Sequence, residues 1–486
     1  MKSIFTFCVL AACVLPLAAR NDAFPSPSVV IEEDPSPSYV RGYVASEDGS
    51  FRLSPVTADF EEGTPSGAIN GTITLNEGTR FQHIDGFGFA ITGSTAFNLL
   101  KMTSEDRKVL LNKIFSPTAG YGCNYVRIPI GCSDFSLREY TCCDTPGIEN
   151  FALTDEETKY IIPVMKEILD INPGVKVISA PWTAPRWMKT NGQWTGGNLK
   201  PECYQDYATY FVKWIKAFES NGVKIYGVTP QNEPLNRGNS ASMFMGWEEQ
   251  RDFVKNALGP AFRHNSISTK IYVFDHNYNY DNLSDQQSYP TKIYADPVAS
   301  QYIAGAAFHN YGGNASEMTR VHNAYPDKEL IFTEWTAGTW SWDGVGMEAI
   351  TSDAKSLLFD VLENWGQGSI VWNLLLDSDR GPNRPGGSTT ANGAIDISKS
   401  DYRTLTYNSF YYVICAAASA MPEDAVRIDL SGYASNVSAL AFAGNDDFGL
   451  LLLNTSPAER KVRVKEGSRS FIAVIPPKSI AAYKWK

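Results

Sequence analysis

Residues 223–234 of the chain read VKIYGVTPQNEP, a short apolar run that ends in an Asn-Glu-Pro turn. The run itself, residues 223–229, has the length and composition expected of a buried strand. Seven runs of the same kind lie on either side of it, at residues 82–89, 124–130, 175–180, 271–275, 305–309, 330–333 and 370–374. All eight fall between residues 80 and 399, which predicts one large domain built on eight short strands.

Amphipathic stretches with helix signals separate these runs. Thr103 with Asp106, and Thr154 with Glu157, are spaced as capping boxes, and Pro163 should kink or restart the helix that follows Thr154. Further helices are predicted at residues 204–218, 247–258 and 353–365. Eight strands alternating with helices predict an α/β fold, a (β/α)8 TIM barrel, whose functional residues gather at the carboxyl ends of the strands.

The two ends of the chain differ from this barrel in composition. Residues 1–19 are predicted to be a signal peptide, and the Pro- and Ser-rich residues 20–45 a linker. Residues 46–79 and 400–486 contain short β runs separated by turns. These two segments are predicted to form an appended antiparallel β-sandwich domain, with the barrel at residues 80–399 between them.

The signal peptide predicts an exported protein. Residues 10–13, LAAC, also resemble a bacterial lipoprotein signal, which would leave a lipid anchor on Cys13 at the new N-terminus. The protein is therefore expected to be periplasmic, secreted or an outer-membrane lipoprotein. No membrane-spanning segment is predicted, because no other stretch reaches the roughly 18 apolar residues that a spanning helix needs.

The composition disfavours two classes of function. A net charge of −11, from 42 Lys+Arg against 53 Asp+Glu, predicts no nucleic-acid partner, because such proteins need a basic face. The 11 Trp, 24 Tyr and 25 Phe outnumber the 5 His, which favours stacking on flat apolar faces such as those of sugars. No cofactor and no metal is predicted, since no His or Asp cluster has the spacing of metal ligands.

Two glutamates stand at the ends of the fourth and seventh predicted strands. Glu233 ends the segment VTPQNE, and Glu334 ends the segment IFTE. In a barrel both positions lie at the same face. Glycoside hydrolysis uses such a pair, one carboxylic acid to protonate the leaving oxygen and one carboxylate to attack the sugar, about 5 Å apart when configuration is retained. On this basis Glu233 is predicted to be protonated at rest and Glu334 ionised.

Five segments resemble glycoside hydrolase family 30: FQHIDGFG at 81–88, VRIPIGCSDFS at 126–136, APWTAP at 180–185, NEP at 232–234 and WNL at 372–374. The resemblance runs in order from about residue 50 to the end of the chain. It implies a retaining, metal-independent (β/α)8 barrel with a β-sandwich built from both ends of the chain. The family contains lysosomal glucosylceramidase and microbial β-1,6-glucanases.

The resemblance also assigns roles residue by residue. Glu233 would be the acid/base and Glu334 the nucleophile, Asn232 would bind the sugar 2-hydroxyl, and Arg127 would hold Glu334 ionised. Other residues would contact the sugar or the nucleophile: Tyr311 beside Glu334, Trp182 and Trp372 lining the pocket, and His309 as either a sugar contact or a core histidine. Trp187, Trp194, Trp335, Trp340 and Trp342 either extend the aromatic surface or pack in the core.

The departures from the family pattern narrow the substrate. Residues 90–94, AITGS, lack the acidic residue that glucosylceramidase-type members carry there, which favours cleavage within a glycan chain over removal of a terminal glucose. The segments QNEPLN at 231–236 and TEWTAG at 333–338 resemble the microbial endo-β-1,6-glucanase branch. The sequence thus predicts a retaining endo-β-1,6-glucanase that acts on β-glucan polysaccharide or oligosaccharide. The alternatives are an exo-acting β-glucosidase or glucosylceramidase, a xylan-cleaving relative, and a non-catalytic glycan-binding protein.

Overall fold

The computed structural model describes residues 39–61, 68–278, 283–341 and 344–486. The predicted signal peptide with Cys13, the first part of the predicted linker and Trp342 lie outside these residues. Among the helices that are described, none has both the length and the apolar character needed to cross a bilayer.

Three strands precede the barrel: β1 (Tyr39–Ser46), β2 (Arg52–Asp59) and β3 (Gly71–His83). β1 begins inside the segment predicted as a linker, residues 20–45, so that prediction is wrong from Tyr39 onward. Val40 and Val44 of β1 are fully buried in the core of the β-sandwich. Burial of these apolar side chains favours a strand here, although the residues just before it are rich in proline and serine.

The next eight strands are β4 (Gly86–Ala90), β5 (Tyr125–Pro129), β6 (Lys176–Ala180), β7 (Gly227–Val228), β8 (Lys270–Asn277), β9 (Gly305–His309), β10 (Glu329–Glu334) and β11 (Gly368–Val371). Their hydrogen-bonded order, β10-β11-β4-β5-β6-β7-β8-β9, closes into a parallel barrel. Each strand overlaps one of the eight predicted runs, and the predicted TIM barrel is confirmed.

The helices between the strands are α1 (Gly93–Lys101), α2 (Ser104–Phe115), α3 (Ile162–Ile171), α4 (Tyr204–Ser220), α5 (Trp247–Phe253), α6 (Gly259–His264), α7 (Tyr289–Tyr294), α8 (Pro297–Ser300), α9 (Ser316–Ala324), α10 (Ile350–Ala354) and α11 (Asp360–Glu363). Thr103 caps α2 as predicted, its hydroxyl accepting from the Asp106 amide at 3.1 Å. A π-helical turn, Glu157–Ile161, precedes α3, and Pro163 is the second residue of α3. The backbone is helical without a break from Asp155 to Ile171, so Pro163 lies inside the helix, and the π-helical turn before it is the irregularity that accommodates its missing N–H.

A small sheet and one buried helix follow the barrel. The strands β12 (Leu375–Asp377), β13 (Ile395–Ile397) and β14 (Leu405–Tyr407) form the small sheet, and α12 (Ser409–Ala420) comes next. α12 is apolar on nearly all sides and packs against both β4 of the barrel and β1. The sandwich portion of residues 400–486 therefore begins only after α12, later than the sequence predicts.

The remaining strands are β15 (Val426–Ala434), β16 (Val437–Ala443), β17 (Phe448–Asn454), β18 (Arg460–Glu466), β19 (Arg469–Ile475) and β20 (Ser479–Trp485). They join the first three in one sheet of order β19-β18-β3-β15-β16-β17-β20-β1-β2. Phe471 of β19 lies 5.1 Å from the Trp485 ring of β20, although five strands separate the two in the sheet. The sheet thus folds over on itself, and the predicted β-sandwich is confirmed.

Candidate active site

A cavity of about 570 Å³ opens at the carboxyl ends of the barrel strands. Its volume is in the range of small-molecule sites, and its position is where barrel enzymes carry their chemistry. Glu233, which follows β7, and Glu334, the last residue of β10, both line it and are both buried. The other lining residues singled out from the sequence are Trp182, Asn232, Tyr311, Trp340 and Trp372.

The two glutamates face each other closely. One carboxylate oxygen of Glu233, one of Glu334 and a ring nitrogen of His309 all lie within 4.8 Å of one another. A gap of this size matches the roughly 5 Å separation of retaining pairs and is smaller than the 6.5–9.5 Å that leaves room for a water molecule in inverting pairs.

Local irregularities in β8 and β10 aim these side chains. The register of β10 against β9 shifts between Phe332 and Glu334, so Thr333 and Glu334 both turn towards the site instead of alternating. A similar shift in β8 brings Asp275 and His276 to the site together. Phe274 and Asp275 have φ of +73° and +68°, in the left-handed region that a bulky residue such as phenylalanine seldom adopts, a strain that is typical of functional sites.

Arg127 of β5 connects the predicted site residues. One terminal nitrogen, Nη1, donates to Glu334, and the other, Nη2, donates to Asn232 Oδ1 at 2.7 Å and to Asp275 Oδ2 at 2.9 Å. The guanidinium is fully buried, and a planar fork of this kind can hold several acceptors in fixed positions. Arg127 contacts Glu334, as the sequence predicts, and it also orients Asn232.

Asp275 belongs to the site although the sequence analysis gave it no role. Its carboxylate accepts hydrogen bonds from Arg127, from the hydroxyls of Thr229 and Thr333, both at 2.6 Å, and from His309 Nε2 at 3.0 Å. Burial raises its pKa, but the charges of Arg127 and His309 outweigh burial and lower it well below the usual value. The available signal was its position, because Asp275 ends a predicted strand just as Glu334 does.

Two tryptophans form one wall of the cavity. The rings of Trp182 and Trp372 stack at 4.8 Å with an angle of 23° between their planes, and the Arg127 guanidinium lies 5.0 Å and 5.4 Å from their centres. Trp372 Nε1 donates to Asp134 Oδ1 at 3.2 Å. Asp134, which also lines the cavity, was missed although it lies in the recognised segment 126–136. Burial, and then the charge of Glu334, raises its pKa to about 7.

His309 lies between the two glutamates. Its Nδ1 is 3.3 Å from Glu233 Oε1 and 3.9 Å from Glu334 Oε1, and its Nε2 is bonded to Asp275. Burial lowers the pKa of His309, but Glu334 and Asp275 outweigh it and raise the pKa to about 9. Of the two readings of His309 from the sequence, the structure shows a histidine at the centre of the carboxylate cluster, and His309 is not among the residues that line the cavity.

The protonation bias of the pair differs from the one predicted. Burial raises the pKa of Glu233, but the hydrogen bond from His309, the nearby His276 and His309 rings and the hydrogen bond from Asn236 together outweigh burial, and the pKa is lowered to about 2. Burial raises the pKa of Glu334, against the charges of His309 and Arg127. The pKa of Glu233 is thus lowered and that of Glu334 raised in the protein alone, opposite to the predicted directions, and the pKa of His309 beside them is raised.

The remaining aromatic residues divide into those at the cavity and those that are partly buried elsewhere. Tyr311 donates its hydroxyl to Glu334 Oε1 at 3.1 Å, where the sequence places it. Trp340 is 51% exposed and lines the cavity. Three others pack elsewhere: Trp187 donates to the Cys143 carbonyl, Trp194 lies under Arg186, and Trp335 contacts Phe410.

Glu233, His309 and Glu334 also form the one group with metal-ligand spacing in the part of the chain that the structure describes. Arg127 already donates to one of these carboxylates, and the raised pKa of His309 keeps a second positive charge between them. The site thus supplies its own positive charges beside the two glutamates.

The closed strand order divides the cavity into two sides. β11, β4, β5 and β6 lie between β10 and β7 on one side of the barrel, and β8 and β9 on the other. Trp372 follows β11 and Trp182 follows β6, whereas Tyr311 follows β9. A line from Glu334 to Glu233 therefore separates a tryptophan side of the mouth from a tyrosine side.

Comparison with known proteins agrees with this geometry. Residues 84–416 match the glycosyl hydrolase family 30 TIM-barrel domain, and residues 424–483 match the glycosyl hydrolase family 30 beta sandwich domain. The chain is 30% identical to the lysosomal acid glucosylceramidase of Mus musculus, over 85% of this chain and 83% of that protein. It is 31% identical to an endo-1,6-beta-D-glucanase of Neurospora crassa, over 81% and 82%. The solved structure of the endo-beta1,6-glucanase BT3312 superimposes with a TM-score of 0.89 and 51% identity, covering 92% of this chain and 99% of that one.

Proposed function

The chain belongs to glycosyl hydrolase family 30, and from this we propose that it is a retaining endo-β-1,6-glucanase. The observation that carries the proposal is the pair Glu233 and Glu334, with carboxylate oxygens within 4.8 Å of each other in the cavity. The similarity to endo-1,6-β-glucanases supports the linkage. The chain is a glycoside hydrolase by family, and the linkage, the endo action and the stereochemistry are the proposed part.

In the proposed first step, Glu334 attacks the anomeric carbon and Glu233 gives a proton to the glycosidic oxygen. The C–O bond to the leaving glucan breaks as the glycosyl ester of Glu334 forms. Arg127 and the Tyr311 hydroxyl each donate to Glu334, which orients the carboxylate and stabilises its ionised form. Attack at the anomeric carbon and proton delivery to the glycosidic oxygen then act on the two ends of the C–O bond that breaks.

In the second step, Glu233 accepts a proton from water, and the water oxygen attacks the anomeric carbon. Glu334 leaves as a carboxylate, so the two inversions give net retention. Formation of the ester removes the negative charge of Glu334, which lowers the pKa of Glu233 and prepares it to act as a base. His309 can exchange a proton with Glu233 as this pKa changes, since its Nδ1 lies 3.3 Å from Glu233 Oε1.

The sugar that reacts would lie on the tryptophan side. There the Trp372 ring covers an apolar sugar face, and Asn232, held by Arg127, meets the 2-hydroxyl. Asp134 is placed to accept from a further hydroxyl, because it lines the same side of the cavity. The leaving part of the glucan would extend along the tyrosine side, past Tyr311 and the exposed ring of Trp340.

Product analysis on a β-1,6-linked glucan tests the proposal. We expect short oligosaccharides of mixed length at early times, and proton NMR of the first product should show the β-anomer. Parallel reactions on β-1,3- and β-1,4-linked glucans should be much slower. Glucose as the only early product, an α-anomer, or no hydrolysis of the β-1,6-linked glucan would each contradict it.

The same experiment includes the rival activities. The 30% identity to a glucosylceramidase makes a lipid-linked glucose the appropriate comparison substrate. A preference for glucosylceramide in detergent over the soluble glucan would favour that alternative. Binding of glucan without hydrolysis would instead indicate a glycan-binding protein, and xylan hydrolysis would indicate the xylan-cleaving alternative.

We also propose that the protein is exported, with residues 1–19 removed as a signal peptide or with Cys13 retained as a lipid anchor. The support is the sequence of the first 19 residues. Cell fractionation of the wild type and of Cys13→Ser tests the two forms. A membrane-associated wild type that Cys13→Ser releases would indicate the anchor, and a cytoplasmic protein would contradict export.

A further inference from the structure

Arg384, in the connection between β12 and β13, joins three loops at the mouth of the barrel. Its buried side chain donates to the Ser133 carbonyl from Nε at 3.1 Å and from Nη2 at 2.8 Å. Nη2 also donates to the Ser240 carbonyl at 2.7 Å, and Nη1 donates to Glu139 at 3.2 Å. Loops that follow β5, β7 and β11 are thus fixed to one guanidinium.

The loops that Arg384 joins carry five neighbouring residues of the cavity lining. These residues, which we call the polar wall, are Asn239, Ser240, Gly386, Gly387 and Ser388. The wall contains no charged side chain, and the guanidinium beneath it is paired with Glu139. A surface of amide, hydroxyl and peptide groups fits an uncharged ligand with many hydroxyls.

Glycines at positions 386 and 387 let the polar wall approach closely. A Cβ on Gly387 would lie 2.6 Å from the Asp134 carbonyl oxygen, and Gly386 has a φ of +77°. The Ser388 amide donates to that same carbonyl of Asp134 at 3.1 Å. Arg384 fixes the backbone at Ser133, and the Ser388 amide fixes the carbonyl of the next residue, Asp134. The polar wall is therefore rigidly connected to Asp134, whose side chain accepts a hydrogen bond from Trp372.

The polar wall belongs largely to the tryptophan side of the cavity. Gly386, Gly387 and Ser388 follow β12, in the segment that leaves the barrel at β11. Gly387 and Ser388 meet Asp134, which follows β5, and both β5 and β11 lie on that side of the line from Glu334 to Glu233. The reacting sugar is assigned to the same side in the proposed function. In a β-1,6-linked chain, the glucosyl unit on the non-reducing side is bonded to O6 of the reacting sugar. That unit would reach the polar wall.

We propose that the polar wall binds a second glucosyl unit of the chain, on the non-reducing side of the reacting sugar, and that Arg384 is the residue that positions the wall. This inference rests on the proposed function and adds a subsite to it. Arg384 acts through Ser133, Asp134 and Ser240 and does not line the cavity. Its removal should therefore affect the second glucosyl unit more than the first.

Two aryl glycosides measure this difference. One is an aryl β-glucoside, which fills only the position of the reacting sugar, and the other carries two β-1,6-linked glucosyl units. The ratio of their kcat/KM values gives the contribution of the second unit. In the wild type we expect a ratio of about 10 or more, which corresponds to one or two hydrogen bonds. In Arg384→Met it should fall towards one, and Arg384→Lys, which keeps the charge without the fork, should be intermediate.

A second variant and a control complete the test. Ser388→Phe fills the wall while keeping its backbone contact with Asp134, and it should also lower the ratio. Arg107→Met removes another two-pronged arginine, which is paired with Glu167 and does not line the cavity, and should leave the ratio unchanged. Thermal melting reports whether each variant is folded, and because Ser388→Phe does not touch Arg384, it tests the wall even if Arg384→Met fails to fold.

The outcomes separate this inference from the proposed function. A wild-type ratio near one, with β-1,6-linked glucan still cleaved, would overturn the second-unit site alone. Equal losses on both glycosides in Arg384→Met, at an unchanged ratio, would show a merely structural arginine and would also overturn it. No hydrolysis of any β-1,6-linked substrate would overturn the proposed function, and this inference with it.

Discussion

Nδ1 of His309 lies 3.3 Å from Oε1 of Glu233 and 3.9 Å from Oε1 of Glu334. One imidazole therefore contacts both carboxylates of the pair, while Asp275 anchors its other nitrogen. The raised pKa of His309 and the lowered pKa of Glu233 both favour a proton on His309, one hydrogen bond away from the residue that would donate it. When a sugar displaces water from the site, the loss of solvation favours a neutral pair over an ion pair and moves the proton towards Glu233.

The first prediction concerns pH. Activity requires the proton that Glu233 and His309 share, so kcat/KM should fall as pH rises through about 9, the raised pKa of His309. It should also fall on the acid side, at an apparent pKa above the usual value for glutamate, because burial raises the pKa of Glu334 and only its ionised form attacks. A plot of kcat/KM against pH checks both limbs.

A histidine variant tests the origin of the alkaline limb. His309→Gln cannot carry the proton, and Glu233 then loses the imidazolium charge that helps to lower its pKa. Glu233 alone would hold the proton, so the alkaline limb should move to a lower pH. His322→Gln, which removes a histidine stacked on Trp365, serves as the control and should leave the profile in place. An unchanged alkaline limb in His309→Gln would contradict the shared proton.

The second prediction assigns the two glutamates by rescue with azide. In Glu334→Gly the rate of hydrolysis should fall by at least about 10⁴-fold. Azide entering the vacated space should attack the α face of the sugar and form the α-glycosyl azide. Glu233→Ala should lose about 10² to 10⁴-fold, and azide should intercept the glycosyl ester to form the β-glycosyl azide. NMR of the products checks this, and the opposite pairing of variant and anomer would reverse the assigned roles.

The third prediction concerns Arg127. Arg127→Lys keeps a charge but cannot hold Glu334, Asn232 and Asp275 at once, so we expect kcat/KM to fall about 100-fold. Arg127→Met removes the guanidinium that neutralises the buried Asp275 carboxylate, and the free energy of unfolding should fall by about 3–5 kcal/mol. Kinetics on an aryl glucoside and urea unfolding measure the two effects. A fully active lysine variant would show that the fork is not needed.

The fourth prediction isolates one hydrogen bond to the nucleophile. Tyr311→Phe removes the hydroxyl that donates to Glu334 and should lower kcat by about 10- to 100-fold, as expected for a hydrogen bond to a charged group. Tyr433→Phe is the matched control, since Tyr433 is 73% exposed on β15 of the sandwich. Equal activity of the two variants would remove Tyr311 from the mechanism.

The fifth prediction concerns metal ions. Excess chelator should leave the activity unchanged, because Arg127 and His309 supply the positive charge beside the carboxylates. Added Zn²⁺ should inhibit, and more strongly as pH rises, since it must displace the proton of His309 to bind among Glu233, His309 and Glu334. Activity assays with chelator and with Zn²⁺ at two pH values check this. Loss of activity in chelator would contradict it.

The sequence was sufficient for the order of strands and for the two glutamates. Apolar runs of strand length repeat eight times, and parallel strands share one carboxyl edge, so Glu233 and Glu334 meet wherever the barrel closes. The strand β1 was missed because Val40 and Val44 are buried in a sandwich core whose residues come mostly from the far end of the chain. Long-range pairing of this kind leaves no local signal.

The finer chemistry of the site depends on geometry that single residues do not encode. Asp275 and Thr333 reach the cluster through register shifts in β8 and β10, and such shifts are set by packing between strands. The proton bias followed from the same cause, because the 3.3 Å contact between His309 and Glu233 appears only in three dimensions. Arg384 carries no motif at all, and its role follows from the three loops it joins.

The pairing of β1 with β20 has a consequence for how the polypeptide matures. Tyr43 of β1 lies opposite Ala482, so a segment synthesised early, already paired with β2, must wait for nearly the last segment before its other edge is paired. Until then the hairpin of β1 and β2 carries an unpaired apolar edge, which is a hazard for association between nascent molecules. The barrel has all of its strands before that moment. Acquisition of the native state is thus expected to end, and not to begin, at the amino-terminal strand.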